Sequence, residues 1–273
     1  MIAKLAVFGN PIAHSRSPKI HAMFGEQTDI DLHYEKVLVP AGQFAELARR
    51  FLAEGTGFNV TLPYKGEAWA FVDEASNDAN LAQAVNTISV NLAGQVRGDN
   101  TDGGGLVTDI TQNLSWVITG KRVLVLGAGG AVSGVLGSLL SQAPASIQIN
   151  NRTRTKAERL VARFNDERLS CVSTAQLESN YDLIINGTSA GLVGDNPALP
   201  ALIVGQDSHC YDMIYGGPGT QPARTTFNTW CLSHANCDVA DGLGMLVEQA
   251  ALAFAIWFDR PVDTQPVITE LRA

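Results

Sequence analysis

The chain alternates between short apolar runs and longer stretches in which apolar residues recur every three or four positions. Residues 123–126 are apolar without interruption, as in a strand buried on both faces. Gly127, Gly129 and Gly130 follow, and then Val132, Val135, Leu136, Leu139 and Leu140 recur at helical spacing. Residues 146–150, 183–186, 210–213 and a short stretch near 238–240 predict further strands. The first hundred residues have a similar rhythm: strands over 4–8 and 33–39, a helix opened by Ser17 as N-cap with Pro18 at N1, and a second helix over 43–54. A short strand over 58–61, helical pieces between 64 and 81, and a hairpin of 85–91 with 95–99 turning at Ala93 and Gly94 complete this part. From Leu243, wheel positions place Leu246, Val247, Ala250 and Phe254 on one face and Met245, Leu252 and Ile256 on the other, predicting a helix buried on both sides. Strands alternating with helices imply largely parallel sheets, with a boundary between two α/β units near Asn100 and Thr101.

A strand, a glycine turn and a helix N-terminus together form a pyrophosphate cradle, because unpaired N–H groups and the helix dipole both favour an anion. The glycine pattern departs from G-x-G-x-x-G in carrying Val132 at the third position. About 20 residues past the glycines, NAD-binding chains place a carboxylate that accepts hydrogen bonds from the ribose. Here the sequence reads Asn151-Arg152-Thr153-Arg154-Thr155-Lys156. Cations at that point suit a 2′-phosphate; the alternative is a solvated basic start to the next helix, which would oppose the helix dipole.

Composition narrows the setting. The 273 residues are 45% hydrophobic and 17% charged, enough for two compact domains. A net charge of −8 argues against a nucleic-acid partner, so the local basic cluster suits a small anion. Cys171, Cys210, Cys231 and Cys237 show no metal-type spacing with the histidines, so no metal is expected, and free thiols suit a reducing compartment. Neither a signal-peptide pattern nor an apolar run long enough for a membrane span is present, and a cytoplasmic location is expected.

Several polar residues stand where chemistry is plausible. Asn59 and Thr61 share one face at the carboxyl end of a predicted strand, and Lys65 follows beyond Pro63, although a solvated loop lysine is the plain alternative. Ser15 and Ser17 flank a helix start suited to a carboxylate; capping by Ser17 alone leaves Ser15 unexplained. Asp102 precedes three glycines, where helix capping is the alternative. Gln249 projects into the apolar second face of the last long helix, where backbone, another side chain or a polar ligand would satisfy it. A nicotinamide enzyme reducing a ketone needs a positioned acid, and with Tyr-x-x-x-Lys absent, Lys65 with Asp102 is the best candidate, ahead of His14.

The segments GNPIAHSRSPKIH, NVTLPYK, AVNT, GDNTDGGGL, LGAGGA, NRT, YDMIY and DGLGMLVEQAA, in this order, resemble the shikimate dehydrogenase family across nearly the whole chain. The resemblance implies NADP-dependent interconversion of 3-dehydroshikimate and shikimate, a step of aromatic amino acid biosynthesis. It implies a small-molecule partner, with neither nucleic acid nor membrane, acting as a monomer or homodimer. The implied fold is α/β with two domains: a substrate domain (1–101 plus 241–273) with a mainly parallel sheet, and a Rossmann-like NADP-binding domain (102–240), with the cleft between them. By the same resemblance, Lys65 is the acid or base and Asp102 its partner, while Ser15, Ser17 and Tyr215 hold the substrate carboxylate. Asn59, Thr61, Asn86 and Gln249 then hold ring hydroxyls or orient the catalytic pair. Gly127, Ala128, Gly129, Gly130 and Ala131 would cradle the pyrophosphate; Asn151, Arg152, Thr153 and Lys156 would take the 2′-phosphate; and Thr188, Ser189, Met213 and Gly242 would line the nicotinamide side. The chain departs from the family pattern at Val132, at Gly187 where alanine is usual, and after Tyr215, where the sequence is less basic.

Overall fold

The computed structural model describes residues 2–188, 198–216 and 225–273, and its strands form two six-stranded sheets. The first contains β1 (Ala3–Gly9), β2 (Leu32–Leu38), β3 (Gly57–Val60), β4 (Glu74–Ala75), β5 (Thr87–Val90) and β6 (Val96–Asp99), in the order β2-β1-β3-β5-β6-β4. β1 is parallel to β2 and β3, and β4 to β6, whereas β5 runs antiparallel to β3 and β6. The sheet is thus mainly parallel, with its antiparallel pairings at the predicted hairpin. β4 interrupts the helical stretch predicted over 64–81; two residues are too few to show an alternating pattern. Four helices accompany this sheet: α1 (Ser17–Thr28), α2 (Phe44–Leu52), α3 (Lys65–Phe71) and α4 (Asn77–Ala82). One face buries Phe8, Phe44 and Phe58 beside α2 and α3, and the other packs Leu5, Val7 and Tyr34.

Ser17 is the first residue of α1, with Arg16 as N-cap, rather than the cap itself. The Ser17 N–H donates to Ser15 Oγ at 3.3 Å. Pro18 has no N–H to offer, so a hydroxyl placed two residues before Ser17 meets the donor that remains.

The second sheet contains β7 (Arg122–Leu126), β8 (Ser146–Asn150), β9 (Leu169–Cys171), β10 (Leu183–Asn186), β11 (His209–Asp212) and β12 (Asp238–Asp241). Its order is β12-β11-β10-β7-β8-β9 and every neighbouring pair is parallel. The winding direction reverses between β7 and β10, which opens a crevice at their carboxyl ends. α6 (Gly130–Ser141) and α7 (Arg154–Phe164) follow β7 and β8, and α8 (Thr226–His234) precedes β12.

Between the sheets lie α5 (Asp102–Thr108), continued by a π-helical turn over Asp109–Asn113, and α9 (Leu243–Phe258); α10 (Gln265–Arg272) closes the chain. The three glycines of α5 serve close helix contact. A Cβ on Gly103 would lie 2.3 Å from Ser138 Oγ of α6, and one on Gly105 would lie 2.7 Å from the Gln249 backbone nitrogen of α9. α9 is buried along the face of Val247, Ala250 and Phe254, but Leu252 and Ile256 are 40% and 38% exposed, contrary to the expectation of burial on both sides. α5 has only seven residues and little side chain to cover them. Among the described residues, no helix is long and apolar enough to cross a membrane.

Candidate active site

β3 delivers Asn59 to the sheet's carboxyl edge, and α3 begins at Lys65. Lys65 Nζ donates to Asp102 Oδ2 at the start of α5, and both side chains are largely buried. Asp102 Oδ1 accepts from Asn86 Nδ2 at 2.8 Å, and no side-chain cap is present at this helix start, which sets aside simple capping. Burying an ion pair costs desolvation and is a weak source of stability. Its position on the cleft wall therefore points to chemistry, and the solvated-lysine alternative fails.

The amide of Asn86 is fully engaged. Its Nδ2 also donates to Thr101 Oγ1 at 2.9 Å and Gln249 Oε1 at 3.3 Å, and its Oδ1 accepts from the Thr101 N–H at 2.9 Å. Asn86 thus aims Asp102. Gln249 Nε2 donates to Leu246 O at 2.8 Å, so backbone and side chain both contribute to satisfying it, and one amide hydrogen remains on the cleft side.

Ser15 Oγ and Ser17 Oγ lie 3.3 Å apart on the same wall as Tyr215. Arg16 lies against the Tyr215 ring at 5.4 Å and donates to Gly216 O at 2.9 Å and Leu271 O at 3.2 Å. Burial raises the Tyr215 phenol pKa, partly countered by Arg16, so the hydroxyl keeps its proton as a donor.

Across the cleft, Gly127 follows β7 at φ +107°, a conformation suited to glycine. A Cβ on Gly129 or Gly130 would meet nothing within 4 Å. The protein's own packing therefore does not account for these glycines, and the open space leaves the N-terminus of α6 accessible to an anion. At the end of β8, Asn151, Arg152, Thr153 and Lys156 line the cleft together with Thr174. Arg154 turns away to Glu158 at 2.8 Å, while neither Arg152 nor Lys156 forms an ion pair among the described residues. Among the described residues, Asp102 is the sole carboxylate lining the cleft. Unpaired cations, with no acid at the ribose end, fit an NADP 2′-phosphate and disfavour NAD. Thr188, Met213 and Gly242 line the remaining wall; Ser189 lies outside the described residues.

Two departures from the family pattern account for each other. A Cβ on Gly187 would lie 2.5 Å from Val132 Cγ2 and 3.1 Å from Met213 Sδ. Valine at the third glycine position thus requires glycine at 187. Gly187→Ala is expected to destabilise the protein by about 1–3 kcal/mol in urea unfolding, and Val132→Ala in the same chain should restore most of it. A fully stable single variant would refute this steric account.

Both sheets contribute to this cleft of about 1170 Å³. Sequence reasoning brought nearly all its polar residues to notice but missed Arg16, Asn150 and Thr174 on the cleft and Thr87 and Thr101 behind it. None of these shows a local signal, since each takes part in a contact that the sequence spacing does not announce.

Known proteins agree with this arrangement. Family models described as the shikimate dehydrogenase substrate binding domain, shikimate / quinate 5-dehydrogenase and shikimate 5'-dehydrogenase C-terminal domain match residues 7–88, 109–193 and 242–272. The chain is 48% identical over 274 residues to a shikimate dehydrogenase (NADP(+)) of Alkalilimnicola ehrlichii, covering 100% of this chain and 99% of that protein. An Ael1 enzyme from Pseudomonas putida superposes with a TM-score of 0.92 at 36% identity, covering 99% of this chain and 98% of the other. A Thermus thermophilus shikimate 5-dehydrogenase, solved with NADP(H) and shikimate, superposes with a TM-score of 0.87 at 30% identity, covering 99% of each chain. By full-length identity, by models spanning both sheets and by superposed fold, the chain belongs to the shikimate dehydrogenase family.

Proposed function

We propose that this chain catalyses the reversible, NADP-dependent interconversion of shikimate and 3-dehydroshikimate, a step of aromatic amino acid biosynthesis. The observation that carries the reading is one cleft lined together by the Lys65–Asp102 pair, the Ser15, Ser17 and Tyr215 hydroxyls and the glycine and basic residues that follow β7 and β8. NADP, when bound, supplies or accepts the hydride at the nicotinamide ring. Lys65 Nζ takes the proton of the substrate hydroxyl in oxidation and returns it to the carbonyl oxygen in reduction. Asp102 holds Lys65 in place and Asn86 holds Asp102.

The substrate carboxylate is met by Ser15, Ser17 and Tyr215, and ring hydroxyls by Asn59, Thr61 and Gln249. Gly127 to Ala131 cradle the pyrophosphate. Asn151, Arg152, Thr153 and Lys156 hold the 2′-phosphate, and Thr188, Met213 and Gly242 enclose the nicotinamide. In this reading residues 1–101 with 241–273 form the substrate domain and 102–240 the cofactor domain. The two sheets support that division, because β12 ends at Asp241 and α9 then returns to pack against α1.

The test is the initial rate of oxidation by the purified protein with shikimate or quinate and with NADP or NAD, followed at the NADPH or NADH absorbance. Strong preference for shikimate and NADP is expected. Comparable rates with NAD would remove the role given to Arg152 and Lys156, and equal turnover of quinate would replace the substrate.

A further inference from the structure

Behind Asn59 lies a buried hydrogen-bond chain whose polarity is set at each step. The Thr101 backbone N–H donates to Asn86 Oδ1 at 2.9 Å, which turns Asn86 Nδ2 toward Asp102. Thr87 Oγ1 places its single hydrogen on Asn86 Oδ1 at 2.9 Å, so toward Asn59 it only accepts. Asn86 O is likewise an acceptor. Asn59 Nδ2 therefore faces both, at 3.1 Å each, and the reversed amide would set oxygen against oxygen. Asn59 Oδ1 then points the other way, where it needs a donor, and Tyr34 OH donates to it at 2.7 Å.

Tyr34 reaches this point across a strand. Leu5 of β1 is opposite Tyr34 on one side, and Val7 is opposite Asn59 on the other, so all four side chains share one sheet face. Tyr34 is 8% exposed, and His21 of α1 stacks on its ring at 4.5 Å with an interplanar angle of 7°. Burial lowers the His21 pKa to about 3, only partly countered by a side-chain contact with Asn59, so the stacked imidazole is neutral. Burial raises the Tyr34 phenol far above its usual range, Ser17 countering in part, so the hydroxyl remains a donor.

With both amide hydrogens engaged inside the protein, Asn59 can meet a group in the cleft only as an acceptor, through Oδ1, whose neighbours inside the protein are the Tyr34 hydroxyl and His21. It is thereby an acceptor for a substrate hydroxyl and a poor neighbour for a carboxylate or keto oxygen. We propose that Tyr34 is a positioning residue for substrate recognition, fixing the Asn59 amide so that it selects a hydroxyl-bearing ring. The inference rests on the functional reading above. Because Asn86 is pinned separately by Thr101, loss of the Tyr34 donor should disturb Asn59 and leave Asp102 in place.

Tyr34→Phe keeps the ring and removes the donor. An unpaired buried acceptor of this kind is expected to raise KM for shikimate about tenfold, with kcat within about threefold and KM for NADP unchanged. In an Asn59→Ala background the same substitution should add less than about twofold, since it acts through a side chain no longer there. Unchanged KM in Tyr34→Phe, or effects that combine in full in the double variant, would overturn the assignment. If Tyr34→Phe does not fold, Thr87→Val, which removes the acceptor on the other side of the same amide, decides by the same comparison with and without Asn59→Ala. The unaltered protein separates the two levels: turnover of shikimate with an indifferent Tyr34→Phe overturns the positioning role alone, whereas no turnover overturns both.

Discussion

Lys65→Ala is expected to lower kcat for shikimate oxidation by about 10²–10⁴, with a smaller change in KM. Lys65 Nζ is held by Asp102 in the cleft that the serine and tyrosine hydroxyls assigned to the carboxylate also line. Removing it takes away the group that exchanges the proton while leaving those hydroxyls intact, so the loss falls on the chemical step. It also leaves the Asp102 carboxylate buried with Asn86 as its side-chain donor, which costs stability on the order of a few kcal/mol. A melting curve recorded alongside the kinetics distinguishes a folded, slow enzyme from an unfolded one. A folded variant retaining more than about a tenth of kcat would end the assignment of Lys65 as acid and base.

Replacing Arg152 and Lys156 together by alanine should lower kcat/KM for NADP by about a hundredfold and leave that for NAD nearly unchanged. Each cation lines the cleft, and neither has an ion-pair partner among the described residues. Two charge-assisted contacts to a dianionic phosphate are worth roughly 1.5–3 kcal/mol each before screening, and their exposure places the sum toward the lower end. The effect should shrink as salt is raised. Equal losses with NADP and NAD would instead mark the two residues as supports for α7.

The contrast between Arg152 and Arg154 shows where local reading stops. Both belong to one basic hexapeptide, and only the fold sends one into the cleft and the other to Glu158. Gln249 illustrates the same limit, since its amide is satisfied by residues from three separate parts of the chain. The run of three glycines suggested a close approach by something, and the structure identifies α6 and α9 as what approaches. Elements missed in the sequence were β4 and β9, with two and three residues, the helix α8 over Thr226–His234, and α10, which lies past the last strong periodic pattern.

By itself the sequence determined what depends on neighbours along the chain. Apolar runs marked the buried strands, glycines marked the turn after β7, and ordered motifs marked the family, because strand and helix periodicities repeat within a few residues. Tertiary structure alone decided what depends on pairs remote in sequence. Lys65 meets Asp102 across 37 positions and Asn86 meets Gln249 across 163. Gly187 answers Val132, and Tyr34 donates to the Asn59 amide across an intervening strand. Such pairings arise from sheet order and helix packing, which bring together groups whose spacing along the chain carries no period.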